Sequence, residues 1–426
     1  HYRSFLEIDF IIMKIIVAHP GKQHSFRLAT ALEKAGVLQL YVTTLYKKSD
    51  SLLFKILNLF LSNDNKKRAS GRQCKDIPES RIESYCSFLG LLELVLLRLD
   101  KSTNLYRKLH SVTVDRFGKK VAKLAIKEKA DVVVCYDSNA ITTFKYLKEH
   151  APQIIKVLDV SIASRHYMKR IFETEVNASG NEDLRVENPY LWEKGKIEKL
   201  VREFYDSDYF LAASDFVKDS ILDLGISADR VLKVPYGANV ESSIERQILP
   251  EDSPINFMFA GQVIYRKGIT YVFEAANQLN HSKAHLDVVG LYNPDSWFIK
   301  HYQGIDNIKI HGGVTFDRMK SLYEQANVFV LPSFAEGMAQ VGIEAMACGL
   351  PIICTYNSGL SDLVEDGVNG FVVKEGDLED LKNKMQWFID NPSAIKTMGE
   401  AARNKAKAYS WDSYDNNVVN ALLSLK

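Results

Sequence analysis

The stretch Pro332–Val373, PSFAEGMAQVGIEAMACGLPIICTYNSGLSDLVEDGVNGFVV, decides how this chain is read. Two glutamates, Glu336 and Glu344, stand with seven residues between them in a loop that runs into a helix. Apolar runs of strand character bracket the unit, Val328-Phe329-Val330-Leu331 before it and Pro351-Ile352-Ile353-Cys354 after it. Strand, loop, helix and strand make the repeating unit of a parallel sheet. In such sheets ligands bind outside the carboxyl ends of the strands. A helix N-terminus there carries free N–H groups and a partial positive charge, so it favours anions. An ionised carboxylate at that mouth only accepts hydrogen bonds, which suits a hydroxyl-rich ligand held beside a bound phosphate.

Outward from this unit the same alternation fills the chain. In the C-terminal half, Asn256–Ala260, His285–Val289, Ile308–His311, Val328–Leu331 and Pro351–Cys354 read as strands, each followed by a turn or helix. In the N-terminal half the strands are Lys14–Ala18, Gln39–Thr43, Asp131–Tyr136, Ile154–Val160 and Asp208–Ala213. Helices are expected over Ser25–Ala35, Ala140–His150, from Ile162 onward and over Tyr190–Tyr205. Alternation of this kind predicts an α/β class with parallel sheets covered by helices on both faces. At 426 residues the chain exceeds the size at which a single core stops growing, so two domains are expected. The polar stretch Glu241–Ser253, with Pro250 inside it, reads as the linker between them.

The motifs resemble those of the retaining family 4 glycosyltransferases, also called glycosyl transferases group 1, over roughly residues 208–426. Gly261-Gln262-Val263-Ile264-Tyr265-Arg266-Lys267-Gly268 is similar to the family's phosphate loop, and the two glutamates to its donor signature. Val234–Asn239 resembles the segment that leads out of the first domain, and Asn307–Gly313 with Val314 the strand and turn that hold the nucleotide base. Trp411 and the terminal helix resemble the segment that crosses back. The resemblance implies a GT-B fold, two Rossmann-like doubly wound domains facing across a cleft. It places the acceptor domain at 13–240, the linker at 241–253, the donor domain at 254–408 and a crossing helix at 409–426. Residues 1–12, which open on His1 and end just before Met13-Lys14 and the first strand, read as a non-native or disordered tail.

It also implies site roles. Lys267 and Arg266 meet the donor diphosphate, with Gln262 standing where the family often has an arginine. Glu336 contacts the donor sugar and Glu344 the ribose hydroxyls. Val314 and the backbone of Gly337, Met338 and Ala339 complete the donor site. Gly21, in His19-Pro20-Gly21-Lys22-Gln23-His24, is the one glycine left of the family's glycine-rich loop; the plainer reading is a turn with two surface histidines. Asp159 and His166 both stand where the family carries a catalytic histidine or aspartate after a mid-domain strand. The reaction implied is transfer of a sugar from a nucleotide diphosphate sugar to an acceptor hydroxyl, with retention. An epimerase on the same fold, or a binding protein without catalysis, are the alternatives.

Composition is that of an ordinary soluble globular protein: 46% hydrophobic, 25% charged, net charge +1. The charge is unevenly spread. Residues 251–426 hold 15 Lys and Arg against 21 Asp and Glu, which leaves 39 against 32 for residues 1–250. The basic half is the one expected to meet a glycan or lipid-linked acceptor, with an anionic membrane surface as a further partner; nucleic acid is not expected. Five cysteines without a C-x-x-C pattern favour a reducing, cytoplasmic setting. No histidine pattern suggests a metal, and no cofactor is expected. Asp206-Ser207-Asp208 leads into a strand and reads as strand entry rather than a metal site. Residues 50–110 break the alternation: Leu52–Leu61, then Lys66, Lys67, Arg68 and Arg72, then the apolar run Phe88–Leu99. Both runs fall short of the ~18 apolar residues of a membrane span. They read either as a membrane-docking surface or as helices packed on the sheet.

Overall fold

The computed structural model describes residues 13–21, 24–47, 73–99, 104–242 and 244–425. Two sheets organise them. The first contains β1 (Ile15–Ala18), β2 (Leu38–Thr43), β3 (Ile82–Ser84), β4 (Val132–Tyr136), β5 (Ile155–Val160), β6 (Tyr209–Ala212) and β7 (Val231–Lys233), in the order β3-β2-β1-β4-β5-β6-β7. The second contains β8 (Ile255–Ala260), β9 (Ala284–Val289), β10 (Ile308–Gly312), β11 (Val328–Leu331), β12 (Ile352–Thr355) and β13 (Gly370–Val373), in the order β10-β9-β8-β11-β12-β13. Every pairing along β3-β2-β1-β4-β5 and throughout the second sheet is parallel. Both sheets follow the doubly wound order in which the chain reverses direction beside its first strand. That reversal opens a crevice at the carboxyl ends of β1 and β4, and again at those of β8 and β11.

The strands are buried on both faces, as parallel sheets require. Every residue of β1, β4, β11 and β12 is buried. Fifteen helices are described among these residues. They are α1 (Ser25–Lys34), α2 (Ser87–Leu99), α3 (Asn104–Lys127), α4 (Ile141–His150), α5 (Arg165–Ser179), α6 (Asp183–Glu187), α7 (Lys196–Asp206) and α8 (Asp215–Leu222). After the first sheet follow α9 (Ile269–Gln278), α10 (Trp297–Tyr302), α11 (Phe316–Gln325), α12 (Gln340–Ala347), α13 (Leu378–Asp390), α14 (Ala394–Ala406) and α15 (Trp411–Leu423). Side-chain caps start several of them: Ser164 accepts from the Tyr167 N–H, Ser214 from Val217 and Thr315 from Arg318.

Two compact units emerge from the contacts. One comprises the described residues of 1–159, 202–210 and 415–426, the other those of 160–201 and 211–414. Some expected elements differ. The helix expected from Ile162 begins at Arg165, because Ser164 supplies the cap. The single helix expected over Tyr190–Tyr205 is a short 3-10 turn at Pro189–Leu191 followed by α7. Gly195, with φ of 73°, separates them. The strands β3, β7 and β13 were not anticipated; two have three residues and one four, too short for a period to show. The apolar run Phe88–Leu99 becomes α2. The run Leu52–Leu61 and the basic residues Lys66, Lys67, Arg68 and Arg72 lie outside the described residues.

Candidate active site

In the second unit the chain leaves β8 through Gly261 and Gln262, makes a 3-10 turn at Tyr265–Lys267, and enters α9 through Gly268. Lys267 thus closes a short turn ahead of α9. Gly268 has φ of 70°, and a Cβ there would strike the carbonyl of Pro332, so this loop and the one after β11 lie backbone to backbone. The Phe334 N–H donates to the Arg266 carbonyl at 2.8 Å, and the Arg266 guanidinium reaches the Ala335 carbonyl. This packing carries the charged side chains together. Arg266 Nη1 lies 2.9 Å and Lys267 Nζ 3.0 Å from the same oxygen, Oε1 of Glu336. All three side chains are mostly buried. Burial alone would raise the pKa of Glu336. The two cations outweigh it and hold the carboxyl below its usual range, so it is an anion and only accepts hydrogen bonds.

Gly337 is pressed between neighbours. A Cβ would collide with the Ser161 carbonyl, and the Gly337 carbonyl accepts from Ser214 Oγ at 2.6 Å. Met338 and Ala339 are buried, and the Ala339 N–H points to the Ser358 carbonyl at 3.3 Å. Helix α12 begins at Gln340, so Glu344 stands on its second turn. The Glu344 carboxyl borders a cavity of about 500 Å³ lined also by Asn239, Ser242, Phe316, Tyr323 and Cys348. Burial pushes its pKa up, and the Tyr323 hydroxyl lies 3.5 Å from it. Val314 is half-buried in the turn between β10 and α11, and Gln262 is exposed in the loop after β8.

The first unit has its own cluster at the β1 and β4 ends. His24 Nε2 lies 3.2 Å from Oδ2 of Asp159, which is buried at the end of β5. His19 is buried, and its Nδ1 accepts from the Gly21 N–H at 2.8 Å. Both imidazoles meet the Tyr136 ring edge-on at 5.0 Å between centroids. These are not two surface histidines of a turn: His19 is core, and His24 is Asp159's partner. Behind them Glu203, 1% exposed, accepts from the N–H groups of Ser138 and Ala140 at the start of α4. His166 lies in the first turn of α5. Its ring is half exposed, with Nδ1 3.7 Å from Asp223.

Sequence reasoning singled out most of the second-unit residues. It missed His24 as Asp159's partner and Glu187, whose carboxylate accepts from the N–H groups of Tyr265 at 2.6 Å and Arg266 at 3.0 Å. Both contacts join residues 78 or more positions apart, and no local pattern marks them.

Comparisons with known proteins accord with this geometry. Residues 241–405 match the family model described as Glycosyl transferases group 1. An uncharacterized glycosyltransferase of Methanocaldococcus jannaschii is 28% identical over 209 residues, covering 49% of this chain and 57% of that protein. The putative colanic acid biosynthesis glycosyltransferase WcaL of Salmonella typhimurium is 24% identical over 238 residues, covering 52% and 58%. The chain therefore spans little more than half the length of these curated relatives. The crystal structure of HepE from Anabaena in complex with UDP superposes with a TM-score of 0.62 at 16% identity, over 97% of this chain and 100% of that one. The fold is thus GT-B, and residues 241–405, less than half of the chain, carry the match to the glycosyl transferases group 1 model.

Proposed function

We propose that the protein is a retaining glycosyltransferase that moves a hexose from a nucleotide diphosphate sugar to an acceptor hydroxyl. The observation that carries this reading is the convergence of Arg266 and Lys267 on Glu336 at the mouth of the second sheet. Two cations at the carboxyl ends of β8 and β11 are what a leaving diphosphate requires. They are already oriented, so their stabilisation needs no rearrangement as charge develops. Glu336, an anion between them, accepts hydrogen bonds from sugar hydroxyls. Glu344, beside a cavity of about 500 Å³, accepts them from ribose. HepE, which shares the fold, was also crystallised with UDP-glucose, which supports a nucleotide sugar as donor.

The acceptor is met by the basic N-terminal half. Asp159, held to His24, is the group expected near the acceptor hydroxyl. No side chain is assigned as a covalent nucleophile; the leaving phosphate takes the acceptor proton, and neither metal nor cofactor is needed. The product belongs to cell-surface polysaccharide or glycolipid assembly, made on the cytoplasmic face of a membrane. WcaL, assigned to colanic acid biosynthesis, supports the polysaccharide part.

Lys267→Ala tests the donor site. Loss of one charge-assisted contact is expected to weaken nucleoside diphosphate binding by ~1.5–3 kcal/mol, measured by calorimetry across several bases. Equal affinity in the variant and the unmodified chain would remove Lys267 from the site.

A further inference from the structure

The turn that carries Arg266 and Lys267 is gripped by two carboxylates from neighbouring helices. Glu187, the last residue of α6, takes the Tyr265 N–H on Oε1 and the Arg266 N–H on Oε2. Glu175, on α5 and 6% exposed, takes the Tyr265 hydroxyl at 2.7 Å and the Tyr271 hydroxyl at 2.6 Å on one oxygen. Tyr265 is therefore held at both ends, backbone by one glutamate and phenol by the other. Its ring stacks on Phe334 at 5.9 Å, two residues before Glu336. The far end of α6 is fixed as well, since Trp297 Nε1 donates to Asp183 at 2.6 Å.

The two N–H groups at the start of a turn are those that would otherwise point at solvent or at an anion. Here a protein carboxylate occupies them, so this turn offers its side chains, not its N-terminus, to a ligand. A bidentate carboxylate fixes the peptide planes of residues 265 and 266 together. The directions in which the Arg266 and Lys267 side chains leave the backbone follow from those planes. The first unit repeats the device: buried Glu203 takes the N–H groups of Ser138 and Ala140 at the carboxyl end of β4.

We propose that Glu187 and Glu175 are positioning residues that hold the 265–267 turn in the geometry at which Arg266 and Lys267 converge on the donor diphosphate. This rests on the donor-site reading above. Neither glutamate touches the diphosphate; each acts through Tyr265 and the adjoining backbone. The helix pair α5–α6 thereby sets anion affinity from behind the loop.

The test compares the full chain with Glu187→Gln and Glu187→Asp. Glutamine keeps the shape but offers one acceptor, and its NH₂ would face an N–H. Aspartate keeps both acceptors on a shorter stem. Binding of UDP, GDP and ADP is measured by calorimetry, and amide exchange across residues 262–268 by mass spectrometry. Glu187→Gln is expected to bind the preferred diphosphate about tenfold more weakly, with faster exchange at 265–266 and the rest of the chain unchanged; Glu187→Asp falls between. Affinity unchanged in Glu187→Gln overturns the proposal, as does lost affinity with exchange at 262–268 unaltered. If Glu187→Gln melts the whole chain, Tyr271→Phe decides: it removes one hydroxyl from Glu175, and a severalfold loss of affinity is expected, none overturning the role of Glu175. No diphosphate binding by the unmodified chain would instead sink the donor-site reading itself, and the clamp's role with it.

Discussion

At the scale of single residues, burial decides what the titratable groups near each loop do. His19 is the sharpest case. Burial in the first unit drives its pKa down from 6.5 to about 4. The folded chain thus keeps this imidazole neutral, while the unfolded chain protonates it below about 6.5. Above pH 7 both states are neutral and stability does not depend on the group. As pH falls from 6.5 towards 4 only the unfolded chain gains the proton, so stability is lost, by about 3 kcal/mol in all at 1.36 kcal/mol per pH unit. Below 4 the loss levels off. His19→Gln, which retains an acceptor for Gly21, is expected to remove that part of the acid sensitivity. Melting temperatures of the two chains from pH 7.5 to 4 check this; parallel curves would show that His19 is not the buried neutral group. The sequence displayed His19 and His24 in one short loop, but it gave no means of telling them apart. One is core and the other faces Asp159, a partner 135 positions away. Glu336 was the opposite case. Its place after an apolar strand and before a helix marked it, and its two cations stood in a motif of their own.

At the scale of elements, long regular units were legible and short ones were not. The β-branched runs of β4 and β11 and the apolar run of β8 declared themselves through composition, because a strand buried on both faces has to be apolar throughout. The strands β3, β7 and β13 have three or four residues and no period to read. Short elements also hide function, as α6 does: five residues long, it is held in place by contacts to α10 and to the phosphate-type loop, not by helical propensity. The Asp206-Ser207-Asp208 entry to β6 gives a further prediction. Asp206 pairs with Lys148 at 2.6 Å, and Asp208 with the buried Lys156 amine at 2.7 Å while also accepting the Lys156 N–H. Both carboxylates are thus engaged in joining α7 and β6 to their neighbours within the first unit. Sugar transfer is expected to proceed undiminished in EDTA. Activity abolished by the chelator and restored by Mg²⁺ or Mn²⁺ would place a metal in the reaction and contradict this assignment.

At the scale of the whole molecule, the division of charge finds a structural counterpart in α2 and α3 of the first unit. On α2, Phe88, Leu92 and Val95 are 70%, 37% and 43% exposed, at the i, i+4, i+7 spacing of one helix face. On α3, Arg107, Lys108, Arg116, Lys119 and Lys123 are exposed. Among the described residues no helix is long and apolar enough to cross a membrane. An apolar stripe on one helix and basic side chains on the next suit contact with an anionic bilayer surface, where apolar residues enter the interface and cations stay at the headgroups. Each basic residue near such a surface contributes ~1 kcal/mol, and the attraction shrinks as salt shortens the screening length to about 10 Å at 0.1 M. The expectation is that the full chain sediments with phosphatidylserine-containing vesicles at low salt and is released as salt rises. Phe88→Ser with Lys119→Glu and Lys123→Glu is expected to lower that binding, as is alanine at Lys66, Lys67 and Arg68, which lie outside the described residues. Phe88, Lys119 and Lys123 are exposed, so changes at these three positions disturb the fold little. If the unmodified chain stays in the supernatant at low salt, the membrane reading falls, and the acceptor is then to be sought among soluble glycans.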